Sequence, residues 1–566
     1  MHRNRIKTKL LFLFLLALTF LSGISLNISG LKSDIKIKME SYPELERDWD
    51  NVALLYYNYY HNSTEIDEEI DRFHDLVPEL IDMEVIGQSY LGKNITALKI
   101  TNEQRTNQKA KALVVAQHHA REPIAAEAAL RFIIYLLNNY QVDDDITEFI
   151  DNQEIYVIPT LNPDGLDRRV DQDDHWLRKN LRPWDDDGDG FFDEDTWEDV
   201  NLDGKISSFD VYEKIDSQLQ YSYTYYEGID NDGDGKINED PIGHTDLNRN
   251  YDMFWRDGVG WEPETTSQIY PGNTAFSEPE TKAFRNFALK HRFGMAFSLH
   301  SGINATYFAD NPVGGWAEPY LYNSMLQDFA EILPPSFNLD LFYKSGSPSP
   351  VAATAALAGG WENWMYHERG TIAPITFEIY RNASSISPAA ETIVEDNSTH
   401  RILEWTEIYG YFSPELDYIE ALWVDVRPGF YYLLDNTPSL QIEIQITAGG
   451  TQAGNRIGLN FGCINWSPRI STLETINVLT SNGFIIASAS AIPAASNKEL
   501  SVDFLLSSDL ADSGLELKIG NEFTGYTHFT ILPSGTNLGL IIGLSVAGLV
   551  VVASGISIPL LLKRRR

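Results

Sequence analysis

The strongest constraint in this chain is an apolar run, Ala112–Ala116, that passes directly into Gln117-His118-His119-Ala120-Arg121-Glu122-Pro123. Leu113–Val115, Ile155–Ile158, Met295–Leu299 and Ile375–Ile379 are short apolar runs separated by helical stretches such as Glu127–Leu137. That alternation predicts an α/β fold, a mixed sheet flanked by helices. At the end of the first run, His119 and Glu122 stand three residues apart and can aim an imidazole nitrogen and a carboxylate at one point. A catalytic zinc site commonly takes three protein ligands and keeps one position open. The same spacing also suits a solvated surface pair, so a third ligand must come from elsewhere.

Phe293–Ser301 offers one, a strand-like run leading into His300. Sites in open α/β sheets form at the C-terminal ends of strands; a buried, hydrogen-bonded histidine is the plain alternative. A base is the next requirement. Pro374–Tyr380 reads Pro-Ile-Thr-Phe-Glu-Ile-Tyr. Glu378 is a lone carboxylate in an apolar strand, a costly placement unless the group is paired or working. Burial would also raise its pKa toward what an acid/base catalyst needs.

Residues 51–412 resemble the zinc metallocarboxypeptidases of the carboxypeptidase A type. The matching stretches are His119-Ala120-Arg121-Glu122, Ser298-Leu299-His300-Ser301 and Thr376-Phe377-Glu378-Ile379. Pro159–Gly165, Arg178-Lys179-Asn180, Asp246–Asn250 and Phe276–Thr281 add four more in the family's order. The resemblance implies one catalytic zinc held by His119, Glu122 and His300. It implies that Glu378 handles the proton of the attacking water and that Arg178 stabilises the oxyanion. Asn248 and Arg249 then grip the substrate's terminal carboxylate, Arg249 as a bidentate fork. The implied substrates are the C-termini of peptides and proteins. In this register the position of the family's mobile tyrosine, four residues before Gly359-Gly360, holds Ala355. Glu362 falls at the specificity position, where an acid favours a C-terminal Lys or Arg.

Residues 185–240 hold nineteen Asp or Glu against three Lys and read as an insertion between Arg178 and Asn248, forming a wall or rim of the cleft. Asp185, Asp187 and Asp189 recur at alternate positions with Gly190 at the sixth. Asp199, Asn201 and Asp203, with Asp210 at the twelfth, repeat the pattern most completely, and Asp230, Asp232 and Asp234 repeat it again. Alternate oxygen ligands and a turn glycine suit Ca²⁺. These loops resemble those of EF-hands, dockerins and thrombospondin repeats. Two or three structural calcium ions are expected, and a disordered acidic linker is the alternative.

The margins differ from this centre. Residues 1–30 have the basic, apolar and small-residue order of a signal peptide, and 31–50 form a short N-terminal segment. Residues 416–530 contain short strand-like runs, among them Leu440–Ile446 and Leu500–Leu506, which predict a β-sandwich. Leu538–Leu562 is an uncharged run followed by Lys563-Arg564-Arg565-Arg566. It predicts a C-terminal transmembrane helix, a cytoplasmic basic tail, and a catalytic domain held outside the cell at the membrane. The net charge of −38 argues against nucleic-acid binding. The single cysteine, Cys463, excludes intrachain disulfides. Three functions compete. One is an extracellular carboxypeptidase. The second is a zinc amidase or peptidase of the same fold acting on cell-wall or modified peptides. The third is an inactive, calcium-dependent binding or adhesion protein.

Overall fold

The computed structural model describes residues 36–39 and 58–532, apart from 106–107, 203–205, 217, 234, 303, 314, 336–355, 382–390, 406–410, 449–455, 473 and 506–514. A seven-stranded sheet runs in the order Ile81–Gln88, Asn94–Ile100, Gln153–Ile158, Ala110–Ala116, Met295–His300, Ala373–Ile379, Asn304–Phe308. The four strands from Gln153–Ile158 to Ala373–Ile379 are mutually parallel, and the pairing becomes antiparallel at both margins. The expected mixed sheet is present.

Period-two alternation sorts the two faces. Ala112, Val114, Phe297, Leu299 and Phe377 join one core with helices Pro123–Asn139, Pro319–Ile332 and Ile419–Asn436. Leu113, Val115 and Ala296 join a second core with Phe284 and Trp361, from helices Pro279–Ala288 and Trp361–His367. Alternation therefore turns Ser298, His300, Thr376 and Glu378 toward the second face, at the C-terminal edge of the parallel strands. Helix Pro123–Asn139 is buried along nearly its whole length, which is why it is apolar all round. Its first residue is a proline, tolerated where the backbone N–H has no helical partner.

Helix Ile419–Asn436 corrects the domain boundary expected near 416. Ile419, Leu422, Trp423, Val426, Phe430 and Leu433 recur at helical spacing and enter the main core. Gly429 lets the helix approach the sheet, since a Cβ there would lie 2.8 Å from a ring carbon of Phe377. The sandwich strands begin at Leu440. One sheet holds Leu440–Ala448, Arg456–Asn465 and Asn497–Leu505, and the other holds Ile476–Thr480, Ile485–Ala489, Leu515–Asn521 and Gly525–Leu532. Lys36–Met39 pairs with Gly525–Leu532 and forms the edge of that sheet, so part of the N-terminal segment 31–50 belongs to this module. Leu459, Phe461, Val478, Ile519 and Phe529 form the core between the sheets.

The fold class is corrected at its end. No helix among the described residues is long and apolar enough to cross a membrane. The longest of them, Ile419–Asn436, carries Glu420, Asp425, Arg427 and Asp435, and its apolar stripe is spent on the protein core. Residues 1–30, 538–562 and the tail 563–566 lie outside the described residues.

The acidic insertion also holds a hairpin the charge pattern obscured. Strands Ser208–Ile215 and Gln218–Tyr226 pair with His400–Trp405 and Glu391–Asp396 in a four-stranded sheet. The tyrosines of Gln218–Tyr226 were a readable strand signal.

Candidate metal centre and cleft

The strand Ala110–Ala116 ends in a tight turn. Gln117 adopts φ of 58°, and its side-chain amide donates to the carbonyls of His119 and Ala120. Thr160, at the end of the neighbouring strand, donates to the Gln117 side-chain oxygen at 2.5 Å. The turn presents His119, and Glu122 then stands immediately before helix Pro123–Asn139. His300 closes the strand Met295–His300.

These three side chains converge. His119 Nδ1 lies 2.8 Å from Glu122 Oε1. His300 Nδ1 lies 3.1 Å from both His119 Nδ1 and Glu122 Oε2. Two imidazole nitrogens and a carboxylate, all buried and aimed at one another, are a donor set that suits zinc. Outer contacts orient the rings. Asp246 Oδ1 sits 3.2 Å from His119 Nε2, and Ser298 Oγ sits 2.9 Å from His300 Nε2. The Ser301 N–H donates to Glu122 Oε2 at 3.1 Å. Burial works to raise the Glu122 carboxyl, but the two imidazoles overcome it and hold the group well below the usual range. Burial pushes the His300 imidazole down to about 4, which favours the neutral, ligating form. His118 faces elsewhere, 3.0 Å from the Tyr251 hydroxyl and 3.2 Å from Ser298 Oγ.

The expected substrate residues surround this centre. Arg178 Nε donates to Asp246 Oδ2 at 2.9 Å, and its Nη1 lies 4.0 Å from Glu122. Burial works to raise the Asp246 carboxyl, yet Arg178 and His119 hold it well below the usual range. Asp246 thus ties the arginine to a ring of the metal centre. The sequence analysis assigned Asp246 no role; its available signal was a carboxylate two residues before Asn248-Arg249. Glu378 stands opposite His300 on the adjacent parallel strand and is the one partly exposed position of its own. Tyr307, from the edge strand, feels its charge first among the neighbours, then those of Arg249 and Glu362. No sequence signal marked Tyr307.

Asn248 sits in the short turn Leu247–Arg249, and its side-chain oxygen accepts from the Trp361 N–H at 2.9 Å. Arg249 corrects the expected free fork. Its Nε donates to the Gly260 carbonyl at 2.5 Å and its Nη1 to the Asn248 carbonyl at 2.7 Å, so the loop itself holds two of its donor nitrogens. Glu362 is buried in the first turn of helix Trp361–His367 and accepts from Thr376 Oγ1 at 3.0 Å. Burial raises its pKa, while Arg249 pulls it down. A Cβ on Gly360 would lie 2.7 Å from Glu362 Oε1, so glycine makes room for this carboxylate. Ala355 lies outside the described residues.

The acidic loops are regrouped. Asp185, Asp187 and Asp189 form a cluster as expected, but Asp230 and Asp232 cluster with Asp195. In the second loop Asp210 lies in the strand Ser208–Ile215, and the Val200 and Asn201 N–H groups each donate to Glu227 Oε1 at 2.9 Å. Asp203 and Asp234 lie outside the described residues.

Residues 66–425 match the family model described as zinc carboxypeptidase. The chain is 30% identical over 130 residues to a zinc carboxypeptidase of Saccharothrix mutabilis subsp. capreolus, covering 22% of this chain and 30% of that protein. It is 24% identical over 371 residues to a zinc carboxypeptidase of Simulium vittatum, covering 62% of this chain and 99% of the other. The crystal structure of thrombin activatable fibrinolysis inhibitor aligns at 20% identity with a TM-score of 0.46, over 67% of this chain and 74% of that one. The chain thus spans under a third of the Saccharothrix relative and nearly all of the Simulium one.

Proposed function

This chain belongs to the zinc carboxypeptidase family, and from that premise we propose that it removes the C-terminal residue of peptides or proteins by hydrolysis. The observation that carries the reading is the convergence of His119, Glu122 and His300, with Glu378 on the next strand. His119, Glu122 and His300 would hold the zinc ion, which would supply Lewis acidity to the scissile carbonyl and the attacking water.

Glu378 takes the proton of that water and later delivers it to the leaving amine. Its partly exposed place at the cleft suits a group that must meet both. Arg178, fixed by Asp246, hydrogen-bonds the developing oxyanion without reorganising. Asn248 and Arg249 bind the terminal carboxylate. Asn248 uses its side-chain oxygen on Trp361, which leaves its amide nitrogen to donate. Arg249 contributes charge and its remaining donors rather than a wholly free fork. Glu362 places a carboxylate near Arg249 in the wall of the pocket and supports preference for a C-terminal Lys or Arg. The acidic insertion is read as holding structural Ca²⁺.

The test compares one peptide as free acid and as C-terminal amide. Release of the last residue from the acid, with at least about 100-fold slower release from the amide, is expected if Asn248 and Arg249 grip a carboxylate. Equal turnover of both would transfer the reading to an amidase. No turnover by zinc-loaded protein would leave the binding-protein reading.

A further inference from the structure

The structure folds the first acidic loop of the insertion, Asp185–Asp195, against the third, Asp230–Asp240. Asp195 and Asp240 pair as an antiparallel bridge. Asp240 Oδ1 accepts from the Asp186 N–H at 2.8 Å and Oδ2 from the Asp193 N–H at 3.1 Å. The two loops carry seven and five acids against one lysine, Lys236. Their carboxylates interleave. Oxygens of Asp187, Asp232 and Glu239 lie within 4.8 Å of one another, as do those of Asp189, Glu194 and Asp232, and those of Asp195, Asp230 and Asp232. Calcium ligands at about 2.3–2.6 Å from the ion stand no more than about 5 Å apart. Asp232 belongs to all three groups.

One residue separates this arrangement from a solvated acidic surface. Asp195 is 0% exposed. Its Oδ1 has a contact at 3.5 Å from the Asn231 amide, and its Oδ2 accepts no hydrogen bond from any described residue. A buried carboxylate oxygen without a donor is costly unless a cation meets it, and Asp195 is aimed at Asp230 and Asp232.

We propose that the first and third loops form one shared calcium site, with Asp195, Asp230 and Asp232 as core ligands, and that this site holds the substrate-binding residues of the cleft in place. The second part rests on the carboxypeptidase reading. Arg178 lies seven residues before Asp185, and Asp246 lies six after Asp240. Between them the two chain segments are laced together. The Asn180 N–H donates to the Thr245 carbonyl at 3.0 Å, and the Thr245 N–H donates to Asn180 Oδ1 at 3.1 Å. The Ala120 N–H donates to the Arg178 carbonyl at 3.1 Å, which joins this ladder to the metal-centre turn. Opening the loops would splay both segments, and with them Arg178, Asn248 and Arg249.

The test uses full-length, zinc-loaded protein stripped of calcium with a calcium-selective chelator, with zinc content checked. Three quantities are read: calcium binding by calorimetry, proteolytic cleavage within 185–240, and KM and kcat for a free-acid peptide. Wild type is expected to bind calcium saturably, to gain protection from cleavage, and to show KM falling at least about 5-fold as calcium is restored, with a smaller change in kcat. Asp195→Asn should weaken calcium binding at least about 10-fold. Exposed Asp232→Asn should do the same and guards against a folding defect at Asp195. Absent binding, or binding unchanged in both Asp195→Asn and Asp232→Asn, overturns the site. Binding and protection with KM unmoved overturns the link to the cleft. If no peptide is turned over at any calcium level, the carboxypeptidase reading fails with that link, while binding and protection still decide the site.

Discussion

Glu362 is the residue at which substrate choice becomes testable. It is buried, hydrogen-bonded to Thr376 Oγ1 and within reach of the Arg249 charge. A carboxylate there attracts a cationic side chain and repels an acidic one. Across peptides differing only in the last residue, Lys and Arg should be released fastest, and Glu362→Gln should lower that preference by roughly 10-fold while sparing Leu and Phe. Preference for Phe in wild type would remove Glu362 from specificity. Asp246 shows how one residue serves two partners, orienting the His119 ring and the Arg178 guanidinium together.

Two elements carry stability predictions. Gly429 lets helix Ile419–Asn436 lie close against Phe377, so Gly429→Ala should cost about 1–3 kcal/mol, read as a lower urea midpoint. KM should stay unchanged, because Phe377 faces the core and not the cleft. Helix Pro279–Ala288 begins with buried Glu278 and Glu280. Burial pushes Glu280 up to about 7 from an ordinary 4.5. A carboxyl with a raised folded pKa contributes stability that is present below about 4.5 and lost as pH rises through 7. Glu280→Gln should therefore flatten the fall in urea midpoint between pH 5 and 7.5, and an unchanged slope would contradict this. The central strands were legible in the sequence because they are buried on both faces and read as continuous apolar runs. Helix Ile419–Asn436 was not legible because Pro428 and Gly429 interrupt its three-to-four apolar spacing with helix-breaking residues, and hairpin Ser208–Tyr226 was not because charge masked its aromatic alternation. The metal triad was legible from local spacing and strand ends. The regrouping of the acidic loops was not, because it depends on which loops fold together.

At the scale of the molecule, two cores meet at one sheet, and the sheet's C-terminal edge gathers residues as distant in sequence as His119 and Glu378. The insertion lies between Arg178 and Asp246, and the two hydrogen bonds between Asn180 and Thr245 join the chain segments at its base. The sandwich contributes its own core, and Arg292 pairs with Glu474 across the boundary at 2.8 Å. All these parts are of use to a peptidase only if Glu378 moves the proton. Full-length Glu378→Gln, measured for bound zinc and for release of a C-terminal residue, tests that directly. The account predicts one zinc per chain and turnover reduced at least about 1,000-fold. Near-normal turnover with zinc in place would contradict it.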